Sequence, residues 1–272
     1  MLEHDFVDIC EGDSGCWTMS RFRLVTLDVT NTLLKISGSP GHQYAAVASI
    51  YGVKAKVSDI NTSFKYRYRQ YSEKYPNFGS AVGMSSYKWW TDLVKDCFKS
   101  VADASVNSQV LPTTNQDETL TQIANHLYLH FSTAKAWEIL PGAEDLLQSL
   151  KADGVMIGAI SNFDGRLEKI LSCLALRHYF DFVTASAKVG YEKPDRRIFE
   201  HALALSKIPA SESVHIGDSY EKDYLGAVNV GMTGYLVHKG NEPLKNIDPK
   251  FVVQELGELP ECLRVRTMST EL

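Results

Sequence analysis

Acidic, hydroxyl and lysine side chains stand where the apolar runs of this chain end. They are Asp28 with Thr30 and Thr32, the pair Ser161 and Asn162, Lys193, and Asp218 with Asp223. In open parallel sheets, ligands bind beyond the carboxyl ends of the strands, at the point where the strand order reverses. If the apolar runs are parallel strands, these side chains are candidates for one site.

The chemistry that such a set would support is phosphoryl transfer. A carboxylate such as Asp28 can attack a phosphate ester and form an acyl phosphate, but two anions repel each other. A divalent cation between them removes the repulsion, and Asp28 with Asp218 would supply the hard oxygen ligands that Mg²⁺ prefers. Lys193 could hold the nucleophile and the phosphate oxygens electrostatically, and the Ser161 hydroxyl could bind the phosphoryl group.

An alternation of strands and helices must position these residues. After Pro141, apolar runs of strand length alternate with runs of helical periodicity. We predict strands at Val155–Ser161, Phe182–Ser186, Ser213–Gly217 and Gly234–Val237, and helices at Ala143–Ala152, Arg166–Leu174, Arg196–Ser206 and Lys222–Val228. This order predicts an α/β fold with a doubly wound, Rossmann-like parallel sheet, to which an earlier strand at Phe22–Val29 also belongs.

A helical block interrupts this pattern after the first strand. Between about Gly41 and Phe131 the apolar residues recur at helical spacing. The predicted helices are Tyr44–Tyr51, Val57–Lys74, Ser85–Val101 and Asp117–Phe131. We therefore expect an inserted all-helical cap domain over residues 38–137, an α/β core domain over 21–37 and 138–272, and a loose N-terminal tail over 1–20.

Composition narrows the classes of function. The 272 residues carry a formal net charge of -5, which argues against a nucleic-acid partner. The five cysteines form no C-x-x-C pair, which argues against a zinc or redox motif. We found no apolar run long enough for a membrane span and no secretory signal pattern, so the cytoplasm is the expected location.

Four motifs in order give the chain a resemblance to a known superfamily. They are LDVTNTLL at Leu27–Leu34, AISN at Ala159–Asn162, KPD at Lys193–Asp195 and GDSYEKD at Gly217–Asp223. In kind and order they resemble the motifs of the haloacid dehalogenase superfamily, over a region from Arg21 to Lys239. The stretches PNFG at Pro76, SSYKWW at Ser85–Trp90 and SNFDGRLE at Ser161–Glu168 indicate one subgroup of it.

The resemblance implies a role for each candidate residue. Asp28 would be the nucleophile and a ligand of Mg²⁺, the backbone carbonyl of Thr30 a second ligand, and Asp218 a third. Asp223 would support the water shell of the metal. Phosphate-binding groups would come from Thr30, Ser161, Asn162 and Lys193, with Lys193 also paired to Asp28. The helical insertion would close over the site, with a small phosphorylated molecule as substrate, no membrane partner, and a monomer or weak homodimer as the oligomeric state.

Thr30 departs from the superfamily pattern. Phosphatases of the superfamily usually have a second aspartate at this position, which protonates the leaving group. General acid–base catalysis is worth ~10²–10⁴-fold, so alkyl phosphates should react slowly. The P-type ion pumps are similar in having threonine there, and they still form an aspartyl phosphate. Asn31 replaces the usual glycine and tolerates unusual backbone angles.

Three functions remain open at this point. The first is an Mg²⁺-dependent phosphatase that prefers aryl or acyl phosphates. The second is a binding or regulatory protein that kept the fold and lost efficient catalysis. The third and least favoured is a metal-independent dehalogenase, in which Asp218 would have no metal to bind and no halide cradle is evident.

Several other residues have structural interpretations. We expect Trp89 and Trp90 in the core of the helical insertion, His215 in a buried strand, and Cys173 in apolar packing. The cluster Lys65, Arg67 and Arg69 is expected on a solvated helix face, and its alternative is a surface that meets an anionic substrate.

Overall fold

The computed structural model of the chain describes residues 17–20, 22–104, 115–240 and 246–266. Within them it contains ten strands, of two to six residues each. In chain order these are β1 (Trp17–Ser20), β2 (Leu24–Leu27), β3 (Leu34–Ile36), β4 (Trp137–Ile139), β5 (Met156–Ser161), β6 (Phe182–Ala185), β7 (Ser213–Gly217), β8 (Thr233–Val237), β9 (Val252–Val253) and β10 (Arg264–Arg266).

The same residues form ten α-helices. They are α1 (Pro40–Ile50), α2 (Val57–Lys74), α3 (Ser86–Ala104), α4 (Gln116–His130), α5 (Ala143–Ala152), α6 (Leu167–Cys173), α7 (Ser186–Val189), α8 (Arg196–Ser206), α9 (Gly226–Val228) and α10 (Leu259–Leu263). A π-helical segment, Tyr220–Leu225, runs directly into α9. None of the described helices is long and apolar enough to cross a membrane.

Six strands form one parallel sheet in the order β6-β5-β2-β7-β8-β9. β2 lies at the centre, with β5 on one side and β7 on the other, so the strand order reverses beside it. Every residue of β2 is buried, as expected for a parallel strand that is covered on both faces. The predicted fold class, a doubly wound α/β sheet, is therefore confirmed.

Helices cover both faces of this sheet. Residues of α5, α6 and α10 pack in one apolar cluster with β2 and with alternate residues of β5, such as Ile157 and Ala159. Ile160, which points to the opposite face of β5, packs with residues of α8 and α9. The alternation of side chains along a strand gives each face its own apolar layer.

The helices α1 to α4 pack on one another around a separate apolar cluster. An aromatic cluster around Trp89 extends it. β3 and β4 pair antiparallel on either side of this helical segment. The ribbon that they form brings the two ends of the segment side by side, so the segment leaves and rejoins the sheet at one place.

Most predicted elements occur where the sequence places them, and α2, α5, α8 and β7 have the predicted bounds. α1 begins earlier than predicted, at Pro40, because Ser39 caps it by accepting a hydrogen bond from the His42 amide. Within the predicted tail, Trp17–Ser20 pairs with β10; residues 1–16 lie outside the described residues. Pairing between the two ends of a chain leaves no local pattern in the sequence.

Candidate active site

Asp28 lies in the loop directly after β2, at the carboxyl edge of the sheet. Its backbone amide donates a 2.8 Å hydrogen bond to the Ile216 carbonyl of β7. Its side chain is buried, and Oδ1 accepts hydrogen bonds from Lys193 Nζ at 2.8 Å and from Ser161 Oγ at 3.0 Å. Burial raises the pKa of Asp28, and the Lys193 charge opposes the rise. The two donors fix the orientation of the carboxylate.

The loop after Asp28 turns sharply. The amides of Leu33 and Leu34 both donate to the Val29 carbonyl, and the Asn31 amide donates to the Leu34 carbonyl. Asn31 has a φ of 65°, in the left-handed region that asparagine tolerates better than most residues. Its place in the usual glycine position is therefore compatible with this turn.

Thr30 lies in this turn beside Asp28, and both residues line a cavity at the carboxyl edge of the sheet. Its Oγ1 is buried and has no hydrogen-bond partner among the residues that the structure describes. A threonine hydroxyl does not titrate near neutral pH, so this position offers no general acid.

Lys193 is buried at the centre of the site. Its Nζ donates to Asp28 Oδ1 at 2.8 Å, to Asp223 Oδ1 at 2.6 Å and to the Ile160 carbonyl at 2.7 Å. Burial acts to lower the pKa of Lys193, but the charges of Asp28 and Asp223 raise it above its ordinary value. The ammonium is therefore charged, and its three protons have three acceptors.

The side chain of Asn162 bonds to both the backbone amide and the backbone carbonyl of Lys193. The Lys193 amide donates to Asn162 Oδ1 at 2.7 Å, and Asn162 Nδ2 donates to the Lys193 carbonyl at 2.9 Å. Asn162 also lines the cavity, but its amide is bonded to backbone. The contacts indicate that it positions Lys193.

Asp223 and Asp218 complete an acidic group with Asp28. One oxygen of each of the three carboxylates lies within 4.8 Å of the other two. Asp223 accepts hydrogen bonds from Lys193 and from the Ser219 amide, and His215 Nε2 lies 3.1 Å from its Oδ1. Burial acts to raise the pKa of Asp223, but Lys193 and His215 hold it below its ordinary value.

Asp218 has a different environment. Burial and the charges of Asp28 and Asp223 raise the pKa of Asp218 to about 6. Gly217 precedes it, and a side chain at Gly217 would collide with the Asp223 carboxylate. The glycine is therefore required where β7 passes over Asp223.

The donor set fits a magnesium ion. The three carboxylates can carry three negative charges against the one positive charge of Lys193, and His215 adds no positive charge because burial lowers its pKa. Grouped carboxylate oxygens are the ligands that Mg²⁺ prefers. Asp28, Asp218 and Asp223 are the residues that would hold the ion.

The acidic group forms one end of a cavity of about 640 Å³. The other end is formed by α1 to α4 and by the loops that face them. Apart from Gly38 and Ser39, the residues that this helical segment contributes are apolar or aromatic: Pro40, Tyr44, Phe64, Tyr68, Phe78, Trp90, Val94, Leu127, Tyr128 and Phe131. The cavity therefore joins a charged end to a largely aromatic end.

A buried ion pair links the loop after β5 to the helical segment. Arg166 Nε and Nη2 donate to the Asp164 carboxylate at 2.9 and 2.6 Å, and Nη1 donates to the Tyr128 carbonyl at 3.0 Å. The indole Nε1 of Trp90 donates to Asp164 Oδ2 at 2.6 Å. The guanidinium also lies 4.1 Å from the centre of the Tyr128 ring.

No role for this ion pair is evident from the sequence, although the SNFDGRLE stretch contains both of its members. The signal that could have found it is position. Asp164 and Arg166 closely follow Ser161 and Asn162, at the carboxyl end of a predicted parallel strand, where ligand-binding residues are expected.

The structural interpretations have mixed outcomes. Trp89 is buried in the aromatic cluster and His215 is buried in β7, as predicted. Trp90 lines the cavity. Lys65 and Arg69 are exposed, and Arg67 bonds to Ser100, which agrees with a solvated face. The packing prediction for Cys173 is wrong, because the residue ends α6 on its exposed side.

Comparison with known proteins agrees with this architecture. A family model described as haloacid dehalogenase-like hydrolase matches residues 22–231. The "Haloacid dehalogenase-like hydrolase domain-containing protein 3" of Xenopus laevis is 39% identical over 239 residues, which cover 87% of this chain and 93% of that protein. The chain belongs to the haloacid dehalogenase-like hydrolase family. Within the family it is similar to the domain-containing protein 3 group, which is the subgroup that the PNFG, SSYKWW and SNFDGRLE stretches indicate.

Solved structures share the fold. A 2-haloacid dehalogenase from Pseudomonas syringae pv. Tomato DC3000 superposes with a TM-score of 0.62 at 22% identity, covering 89% of this chain and 98% of that one. A HAD phosphatase from Thermococcus onnurineus gives a TM-score of 0.53 at 20% identity, covering 89% and 97%. At these identities the likeness concerns the fold and does not distinguish the two activities.

Proposed function

We propose that this hydrolase is a phosphoric monoester hydrolase that uses Asp28 as its nucleophile and requires Mg²⁺. The observation that carries the proposal is the group of three carboxylates around one buried lysine. Its excess of negative charge suits a divalent cation, and a metal-independent reaction would leave that charge without a counterion. When bound, Mg²⁺ would offset the repulsion between the carboxylate and the phosphate.

The reaction follows from the arrangement of the side chains. A carboxylate oxygen of Asp28 forms a bond to phosphorus while the bond from phosphorus to the ester oxygen breaks. The alcohol leaves with the electron pair and takes a proton from solvent. Water then attacks the aspartyl phosphate, which releases inorganic phosphate and restores Asp28. Lys193 and Ser161 hold Asp28 in position throughout.

Thr30 determines which leaving groups react well. Without an acid at this position, the departing oxygen must carry its charge until a solvent proton arrives. Phenols and carboxylic acids tolerate this charge, whereas alcohols do not. We therefore propose a preference for aryl or acyl phosphates, with the helical segment acting as a cap that covers the cavity.

Turnover of p-nitrophenyl phosphate tests the proposal. The wild-type protein with Mg²⁺ should release p-nitrophenol, and EDTA should abolish the release. The Asp28→Asn variant is the matched control, because it keeps the shape of the side chain and loses the nucleophile. Equal rates for the wild type and Asp28→Asn would contradict the proposal.

The second candidate is a binding protein that no longer turns its ligand over. The absence of an acid at Thr30 favours it. Binding of beryllofluoride at Asp28 without turnover of any phosphate ester would support this candidate. Chelator-insensitive release of halide from a 2-haloacid would instead support dehalogenation.

A further inference from the structure

Phe78 packs between rings of the helical segment and of the sheet loops at the aromatic end of the cavity. Its ring lies 5.9 Å from the Trp90 ring at an interplanar angle of 25°, and 6.5 Å from the ring of Phe163. Phe163 directly follows the Ser161-Asn162 pair. Rings from the helical segment and from the sheet loops therefore meet next to the catalytic end.

The backbone around Phe78 adopts an unusual conformation to place this ring. Asn77, Phe78 and Gly79 have φ values of 52°, 55° and 86°, a region that residues other than glycine rarely adopt. The Asn77 side chain is buried and donates a 2.9 Å hydrogen bond to the Ser186 carbonyl at the start of α7. Backbone conformations of this kind persist only where the surrounding contacts stabilise them, and they are frequent at functional sites.

The aromatic end presents mainly ring surface, and its side-chain hydroxyls are those of Ser39, Tyr44, Tyr68 and Tyr128. Three of the five N–H groups of Arg166 are already bonded, those of Nε and Nη2 to Asp164 and one of Nη1 to the Tyr128 carbonyl. Lys35, which lines the cavity on the β3 side, is paired with Glu138 at 2.8 Å. A sugar bound here would give up hydrogen bonds to water and replace few of them, which is unfavourable. An aromatic group would instead gain ring contacts.

We propose that the substrate carries an aromatic or similarly planar apolar group beside its phosphate, recognised by the wall that Phe78, Trp90 and Phe163 form. This substrate class rests on the proposed function. It is separate from the effect of Thr30, because the wall acts on binding whatever the acidity of the leaving group. A volume of about 640 Å³ falls within the range of small-molecule sites.

Two substrates with similar leaving groups separate these effects. Both 2-naphthylmethyl phosphate and glycerol 3-phosphate release a primary alcohol. We expect kcat/KM of the wild type with Mg²⁺ to be about tenfold or more higher for the naphthylmethyl ester, with the difference mainly in KM. Asp28→Asn should show the same order in dissociation constants measured by calorimetry. Equal affinities, tighter binding of glycerol 3-phosphate, or binding of neither ester would overturn the proposal.

Variants of the wall provide a second test. Phe78→Leu should weaken the binding of naphthylmethyl phosphate severalfold more than the binding of glycerol 3-phosphate. The control is Tyr66→Leu, an exposed tyrosine on α2 outside the cavity, which should change neither. An unchanged preference in folded Phe78→Leu would count against the wall, and if that variant does not fold, the comparison of the two esters still decides.

The two proposals can fail separately. Turnover of both esters without an aromatic preference would refute the proposed substrate class and would still support the proposed phosphatase activity. Selective binding of the naphthylmethyl ester to Asp28→Asn, with no turnover by the wild type, would refute the proposed phosphatase activity and would still support an aromatic ligand.

Discussion

Replacing Lys193 by methionine tests the charge balance of the active site. Methionine nearly preserves the volume and length of the side chain and removes its charge. The Lys193 side chain is 2% exposed and is paired with Asp28 and Asp223. The variant would bury both carboxylates without this cation.

The expected loss of stability is large. Removing one partner of a buried ion pair costs about 3–5 kcal/mol, and here two carboxylates lose their partner. For a chain of this size, each kcal/mol lowers Tm by about 2–4 °C, so we expect a decrease of roughly 6–20 °C. Mg²⁺ should restore part of the loss, because it would bind the more negative site of the variant and stabilise the folded state.

Thermal unfolding with EDTA and with excess Mg²⁺ would measure both effects, alongside turnover of p-nitrophenyl phosphate, which should be lost. Lys151→Met is the matched control. Lys151 pairs with Asp181 at 3.0 Å, with both side chains over a third exposed, and such pairs contribute about 0–1 kcal/mol. If Lys193→Met lowered Tm no more than Lys151→Met, the buried ion-pair reasoning would be refuted. If Mg²⁺ stabilised the wild type more than the variant, the charge-balance reasoning would fail.

Three further predictions concern neighbouring contacts. Trp90→Phe removes a hydrogen bond to the buried charge of Asp164 and should lower the free energy of unfolding by about 1.5–3 kcal/mol. Denaturant unfolding measures this change, and a loss below about 0.5 kcal/mol would show that the bond to Asp164 contributes less than an ordinary neutral hydrogen bond. Thr30→Asp should raise kcat for glycerol 3-phosphate by about tenfold or more, whereas Thr30→Asn should not; equal rates in the two variants would argue against a missing acid. Asn162→Leu should lower kcat at least about tenfold with little change in KM, because Lys193 loses both backbone contacts, and a change confined to KM would assign Asn162 to substrate binding instead.

The long elements of the fold could be predicted because their signals are local. α2 and α8 have the predicted bounds, since helical periodicity over eleven residues or more needs no knowledge of the partner surface. The apolar runs that became β2, β5 and β7 are long enough to require burial. Their parallel arrangement follows from the helices between them.

The short elements could not be predicted. β3, β4 and β9 have two or three residues each, too few for an alternating pattern to stand out. β3 and β4 pair across the whole helical segment, and β1 pairs with β10 across nearly the whole chain. Their positions depend on which distant segments meet, and no local propensity contains that information.

The same division applies to the active site. The sequence alone determined that Asp28, Ser161 and Asp218 would meet, because parallel strands place their carboxyl ends at one edge of the sheet. Only the tertiary structure decided that Asn162 bonds to the Lys193 backbone and that Phe78 and Trp90 line the cavity. The presence of the strands and their parallel direction follow from the local pattern of apolar runs and helices, whereas these contacts depend on how side chains from separate segments pack against each other.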